Sequence, residues 1–342
     1  MKKYSFIIPV YNTDLEHLNE CVSSIVEESF GTYEIILIDD GSPNKEIELF
    51  CRKLETKNNN IKYVYQENAG SAVARNTGLD CCEGDFVIFV DADDVLEKGI
   101  AKHILNYEQE FDILLLNYSN WSTEGEIEFS LDENVEYSKL KQDIYKSILF
   151  APKMFNDYVM GSIWSKVFNR KFIEKNKIRF VPELRKAQDR RFMIESFYYA
   201  KNIKYCSVPS YKYRLNATSI CHTFNNKMID YYLRLLKSMR SFCEEKKLPY
   251  DVTKYMEYNI VMELLPLSVF HIDNPCTDRE KMKQFKEIAE QFDFYPAVKK
   301  LKFSDFASIN GKIKLLMCKL HCMGFIKYII ERNQKRERQS LY

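Results

Sequence analysis

Phe86–Asp94 reads F-V-I-F-V-D-A-D-D, a run of five apolar residues that stops on three carboxylates, Asp91, Asp93 and Asp94. Such a run marks a strand buried on both faces, as in the centre of a parallel sheet. Three acids at one strand end repel one another, and each raises the others' pKa. A hard divalent cation, Mg²⁺ or Mn²⁺, resolves that conflict, because carboxylate oxygens are its preferred ligands. A strand followed by a solvated acidic turn is the other reading of the same residues.

Working back from this stretch, Ser5–Val10 reads as a first buried strand. Thr13 and Glu16 fit a capping box for a helix with apolar positions Leu15, Leu18, Val22, Ile25 and Val26. Glu34–Asp39 is a second strand, ending on D-D-G-S-P, and Asn44 suits the cap of the helix that follows. Ile61–Tyr65 is a third strand, and Asn68–Gly70 turns into a helix over Ser71–Leu79. Strands alternating with helices predict an α/β fold with a mostly parallel sheet flanked by helices. Ligands of such sheets bind beyond the carboxyl ends of the strands. Acids at the ends of separate strands are harder to dismiss than one acidic turn.

Forward of Asp94 the pattern loosens. Ile113–Leu116 and Glu126–Phe129 read as strands, Ile144–Phe150 as a helix, Ser162–Phe168 as extended, and Arg190–Tyr199 as a helix. From about Asn225 the chain reads as wholly helical, with breaks expected at Pro249, Pro266 and Pro275. The domains expected are 1–220, with halves 1–95 and 96–220, and a helical C-terminal extension over 221–342.

With 29% charged and 46% hydrophobic residues in 342, the chain has ample material for a core. A formal net charge of +1 argues against a general nucleic-acid binder. The first apolar run is short and interrupted by Pro9, unlike a signal peptide, and no stretch approaches a membrane span. The ten cysteines match no familiar zinc spacing and read as reduced thiols of a cytoplasmic protein.

With these loops in place, the chain resembles the family 2 inverting glycosyltransferases of the GT-A (Rossmann-like) fold, especially bacterial enzymes that build surface or capsular polysaccharides. The matching segments are S-F-I-I-P-V-Y-N (5–12), E-I-I-L-I-D-D-G-S (34–42), E-N-A-G-S-A-V-A-R-N-T-G (67–78) and D-F-V-I-F-V-D-A-D-D (85–94). The resemblance implies a UDP-sugar donor, a glycan or lipid-linked oligosaccharide acceptor, and Mn²⁺ or Mg²⁺. It assigns Pro9, Val10 and Tyr11 to the nucleotide base, with Tyr11 able to stack. It gives Asp39 the uracil imide N–H, adds Asn68, Gly70 and Ala92 to the nucleotide-sugar site, and sets Arg75 against the diphosphate charge. In its D-x-D pattern Asp91 contacts ribose or a metal-bound water, Asp93 ligates the metal, and Asp94 is structural.

The family's catalytic base is the Asp of an E-D pair before a helix. The match here is A-Q-D-R-R-F (187–192), so Asp189 is the expected base and Gln188 replaces the usual Glu. Trp164 and Lys166 resemble a W-x-K segment near sugar and acceptor. Arg214 and His222 resemble a motif closing over the nucleotide, with His222 as a metal ligand. Between Lys299 and Tyr342 lie eleven basic and three acidic residues, a net charge of +8. Two readings of this tail stand side by side: a basic amphipathic helix on the inner, anionic membrane face, or a packed helix with a solvated basic end. A homo-oligomer is left open.

Three rivals compete with this reading. A phosphoacceptor signalling domain is far shorter, and no G-x-G-x-x-G follows the first strand as a Rossmann dehydrogenase requires. A catalytically degenerate nucleotide-sugar-binding scaffold is favoured only by Gln188.

Overall fold

The computed structural model describes residues 3–107, 110–122, 125–149, 155, 158–215, 227–306 and 309–340. The chain divides into two compact units, one of residues 1–144 and 154–217, the other of 145–153 and 218–342.

In the first unit β1 (Lys3–Val10), β2 (Thr32–Asp40), β3 (Ile61–Gln66) and β4 (Phe86–Phe89) alternate with α1 (Leu15–Val26), α2 (Lys45–Lys57) and α3 (Ser71–Cys81). There follow β5 (Val95–Leu96), α4 (Ile100–Leu105), β6 (Ile113–Ser122), β7 (Gly125–Phe129) and the start of α5 (Lys141–Leu149), whose residues from Tyr145 onward belong to the second unit. The unit ends with β8 (Lys166–Asn169), α6 (Arg170–Lys175), α7 (Gln188–Tyr199) and β9 (Ile203–Arg214). Hydrophobic burial explains the first four strands. Phe6, Ile7 and Ile8 of β1, and Ile35 through Ile38 of β2, are wholly inaccessible, and all of β4 is buried. Only strands covered on both faces tolerate such unbroken apolar runs.

The sheet order is β3-β2-β1-β4-β8-β6-β9-β5, with β7 beside β6. β1 to β4 are mutually parallel, as expected from the alternation. β8 is antiparallel to both β4 and β6, so the sheet is mixed. The double reversal leaves β6, and β9 parallel to it, running the same way as β4. The carboxyl ends of β1, β2, β3, β4, β6 and β9 therefore share one edge, which carries Tyr11, Asp39, the 67–70 turn, Asp91–Asp94 and Arg214.

Local details depart from the expectations in places. Asp14, not Thr13, caps α1, its Oδ1 accepting from the N–H groups of Glu16 (2.8 Å) and His17 (3.3 Å). A carboxylate also complements the helix dipole, which a threonine cannot do. Asn44 caps α2 as expected. The segment 162–165 is not strand, and β8 starts only at Lys166. None of the described cysteines is in a disulfide.

The described part of the second unit is helical: α8 (Met228–Glu245), α9 (Tyr250–Asn259), α10 (Leu265–Val269), α11 (Asp278–Gln291), α12 (Phe294–Lys300), α13 (Ile309–Lys319) and α14 (Met323–Ser340). Pro249 precedes α9, and Pro275 lies in the link before α11. Pro266 does not separate helices. It lacks the N–H that would bond the Met262 carbonyl, and the turn before it, Ile260–Leu264, widens to π-helical. No described helix is long and apolar enough to cross a membrane.

α3 lies close on β1 because Gly78 has no side chain. A Cβ there would sit 2.3 Å from Cγ2 of the fully buried, χ1-stiff Ile7. Gly78→Ala is therefore expected to cost about 1–3 kcal/mol by overpacking. Denaturant unfolding of this variant against wild type measures the loss. Unchanged stability would mean that the α3–β1 contact is loose.

Candidate active site

At the end of β2, Asp39 is 1% exposed. One carboxylate oxygen accepts the Ser42 N–H at 2.8 Å and the other the Tyr63 hydroxyl at 2.9 Å, so the carboxylate is held at the sheet edge. Asp40 fastens the neighbouring turn, accepting from Gln66 Nε2 (2.7 Å) and from the N–H groups of Ala69 and Gly70 (2.8 Å each). Asn68 Nδ2 donates to the Asp40 carbonyl. Gly70 has φ +94°, a left-handed backbone conformation that favours glycine, and the exposed Arg185 guanidinium lies over it. Beside Asp39, Val10 is fully buried and offers only its backbone, whereas the Tyr11 side chain is 54% exposed and available for stacking.

The three acids after β4 have different partners. Asp94, 1% exposed, accepts from the Tyr211 hydroxyl (2.7 Å) and the Arg214 N–H (2.8 Å). Burial and the charges of Asp91 and Asp93 push its carboxyl well above the usual range, against those two hydrogen bonds. Both oxygens of Asp94 are thus engaged by β9. Burial and the Asp91 charge also raise Asp93. Asp91 is about a quarter exposed and takes Arg75 Nη2 at 2.8 Å. Ala92, between them, is buried.

Arg75 stands at the centre of this arrangement. It is 4% exposed on α3, and its other terminal nitrogen, Nη1, donates to Asp189 Oδ1 at 3.1 Å. One guanidinium therefore joins the strand-end acids to a carboxylate 114 positions further along. Burial alone would lower the Arg75 pKa, but Asp189 and Asp91 together hold it raised. Burial raises the Asp189 carboxyl, Arg75 opposes that rise, and Asp91 adds to it. Two terminal nitrogens of Arg75, the residue set against diphosphate charge by the resemblance, are thus engaged by protein carboxylates.

An aromatic cluster fixes Asp189 in place. Phe192, one turn on along α7, stacks on Phe180 at 4.1 Å, and both meet Phe89 of β4 edge-on at 5.6 and 5.4 Å. The start of α7 is pinned as well. Gln188 is 8% exposed, and its Nε2 donates to Ser71 Oγ at 2.6 Å, tying α7 to the first residue of α3. The residue that departs from the family pattern thus makes a helix–helix tie.

Arg214 closes the edge from β9. Its Nε donates to the Asp93 carbonyl at 2.8 Å, its Nη2 pairs with Glu20, and its guanidinium lies 4.4 Å over the Trp121 ring. His222 falls outside the described residues. Tyr211, which the sequence reading missed, accepts the Asp91 N–H at 3.0 Å while donating to Asp94. Its signal was the strand alternation in Y-K-Y-R, which sets Tyr211 and Tyr213 on one face. Trp164 is 8% exposed and stacks on both, at 5.2 and 5.3 Å.

Lys166 is 1% exposed, with Nζ donating to Ser162 Oγ at 3.0 Å and no carboxylate at ion-pair distance among the described residues. Burial pushes its pKa down to about 7, with the Asp189 charge acting in the opposite sense. Between about 7 and the ordinary value of 10.5 the unfolded chain binds this proton more tightly, so folding stability rises with pH across that window. Lys166→Met is expected to be more stable than wild type at neutral pH, with the gap closing as pH approaches 10.5. Thermal melts across this window measure it, and a constant gap would show that Lys166 is not buried as a charge-sensitive group.

The family profile "Glycosyl transferase family 2" matches residues 5–176. The chain is 26% identical over 327 residues to the putative glycosyltransferase EpsH of Bacillus subtilis, covering 94% of this chain and 93% of that one. It superposes on Staphylococcus aureus TarS with a TM-score of 0.65 at 19% identity, covering 96% of this chain but 54% of TarS. For the TarS 1–349 fragment in complex with UDP-GlcNAc the TM-score is 0.66, with 92% of that fragment covered. A mannosyltransferase from Pyrobaculum calidifontis, in complex with GDP-Man and Mn²⁺, aligns with a TM-score of 0.51 at 13% identity. The profile spans half of the chain, and the mixed sheet with its flanking helices is the GT-A fold, so the chain belongs to glycosyl transferase family 2.

Proposed function

We propose that this chain transfers a hexose or N-acetylhexosamine from a UDP-sugar to a glycan acceptor, inverting the anomeric centre, with Asp189 as base. The observation that carries the proposal is the Arg75 bridge between Asp91 and Asp189, which couples the D-x-D loop to the one acid expected to take a proton. In this reading Tyr11 stacks on the uracil and Asp39 accepts its imide N–H. Asp189 takes the acceptor hydroxyl proton as that oxygen attacks C1, and the bond from C1 to the β-phosphate oxygen breaks as UDP departs. The UDP-GlcNAc complex of the TarS fragment supports the donor class. TarS itself is a poly(ribitol-phosphate) β-N-acetylglucosaminyltransferase, which supports a polymeric acceptor; we take that acceptor to be a surface glycan, lipid-linked during assembly.

A divalent cation fits the acids present. Among the described residues no three His, Cys, Asp or Glu side chains form a ready-made cage. Mg²⁺ and Mn²⁺ in phosphoryl sites take only one or two carboxylates and draw further ligands from substrate phosphate. Asp93 is the candidate ligand, with Asp91 beside it, because Asp94 is committed to Tyr211 and Arg214. Burial first, and then the charges of neighbouring acids, raise Asp93 and Asp94, and a cation relieves the second of these. When bound, such an ion stabilises the charge that develops on the departing diphosphate.

Donor binding and transfer should separate in two variants. Asp93→Ala is expected to lose metal-dependent UDP binding and transfer together. Asp189→Asn should keep UDP-sugar affinity and lose about 10²–10⁴-fold in transfer, the usual contribution of a general base. Calorimetric UDP titration with Mn²⁺ or EDTA, alongside a transfer assay, measures both. UDP binding that ignores EDTA would remove the metal, and near-normal transfer by Asp189→Asn would remove the base.

A further inference from the structure

Helix α13 is apolar on two opposite sides. Leu315 and Cys318 are fully buried, and Cys318 Sγ lies 3.6 Å from Met262 Sδ in the interior of the second unit. Ile309, Ile313, Leu316 and Leu320 are 75, 41, 40 and 58% exposed. Their spacing of four, three and four residues puts all four on one stripe. The inner face already accounts for the packing of α13, so the fold does not require the outer one. A solvated helix face is ordinarily polar, and a contiguous exposed apolar stripe marks an interaction site.

Charge identifies what the stripe meets. Lys299, Lys302 and Lys312 are exposed around α12 and the start of α13, within the segment of net charge +8. Lys327 does not add to this field, because Asp278 and Glu331 hold it at 2.6 and 3.4 Å. A second copy of the chain would bring two such basic segments together, and like charges disfavour that. A surface with negative headgroups over an apolar interior matches both the lysines and the stripe.

We propose that α13 docks on the surface of an anionic lipid bilayer, inserting Ile309, Ile313, Leu316 and Leu320 beneath the headgroups while the neighbouring lysines meet the lipid charge. In α14 Ile326 is buried and Ile329 half-buried, and its exposed rings, Phe325 and Tyr328, are two against the four aliphatic residues of the α13 stripe. This attachment is independent of which sugar is transferred and of Asp189 as base.

The test is sedimentation of the full chain with vesicles of phosphatidylcholine alone or mixed with phosphatidylglycerol. Wild type is expected to pellet with the mixed vesicles at low salt and to stay in solution with phosphatidylcholine alone. Raising salt should weaken binding as the Debye length falls from about 10 Å at 0.1 M to 3 Å at 1 M, leaving a residue due to insertion. Ile313→Gln with Leu316→Gln, both exposed positions that leave the packed face intact, should abolish the salt-resistant part. Lys299→Glu with Lys312→Glu should reduce low-salt binding by at least about tenfold. Wild type remaining in the supernatant at low salt overturns the proposal. So does undiminished binding by the glutamine variant, or a lipid-free dimer in analytical ultracentrifugation that the glutamine variant dissociates.

Discussion

One buried guanidinium holds the candidate site together. Arg75 has about 5% of its side chain accessible and donates to Asp91 at 2.8 Å and to Asp189 at 3.1 Å. Without it, Asp91 and Asp189, in a region already crowded with Asp93 and Asp94, would lose the guanidinium that both hold at ion-pair distance. Breaking such a pair leaves an uncompensated charge, which costs far more than the intact bridge contributes. The planar fork of arginine reaches two carboxylates at once, which the point charge of lysine does not. The bridge is a matter of geometry as much as of charge.

The rest of the unit supports that bridge from several directions. The Phe89, Phe180 and Phe192 cluster fixes the α7 turn that carries Asp189, and Gln188 ties it to α3, the helix of Arg75. On the other side, Tyr211 and Arg214 of β9 fasten the Asp91–Asp94 loop through Asp94. These ties are possible because β9 runs in the same direction as β4, so both strands end on one edge. A polar network satisfied at nearly every member is rigid, and a single deletion propagates through it.

What could be read from the sequence follows from the range of each interaction. The four buried strands, their helices and the acids at their ends are local patterns, and Phe86–Asp94 is legible at sight. The purpose of Arg75 was not legible, because its partner Asp189 lies 114 positions away and no pattern links them. Gln188 reads as a missing acid until Ser71 is placed beside it, and Lys166 as an accessible cation until its burial is known. The choice of Asp14 over Thr13 at the α1 cap was a local ambiguity between adjacent capping residues, and the carboxylate's fit to the helix dipole favours Asp14. The outward stripe of α13 was hidden for a simpler reason. Period alone cannot say which of two apolar faces is the inner one.

The central claim is that Arg75 acts through Asp189, and a double-mutant cycle on turnover tests it directly. Arg75→Lys keeps the charge and loses the fork, and a misplacement of about 1 Å can cost around 10²-fold in rate. If the bridge positions the base, the loss in Arg75→Lys combined with Asp189→Asn is much smaller than the product of the single losses, because each removes the same interaction. Losses that multiply would contradict the account and leave Arg75 and Asp189 as independent neighbours.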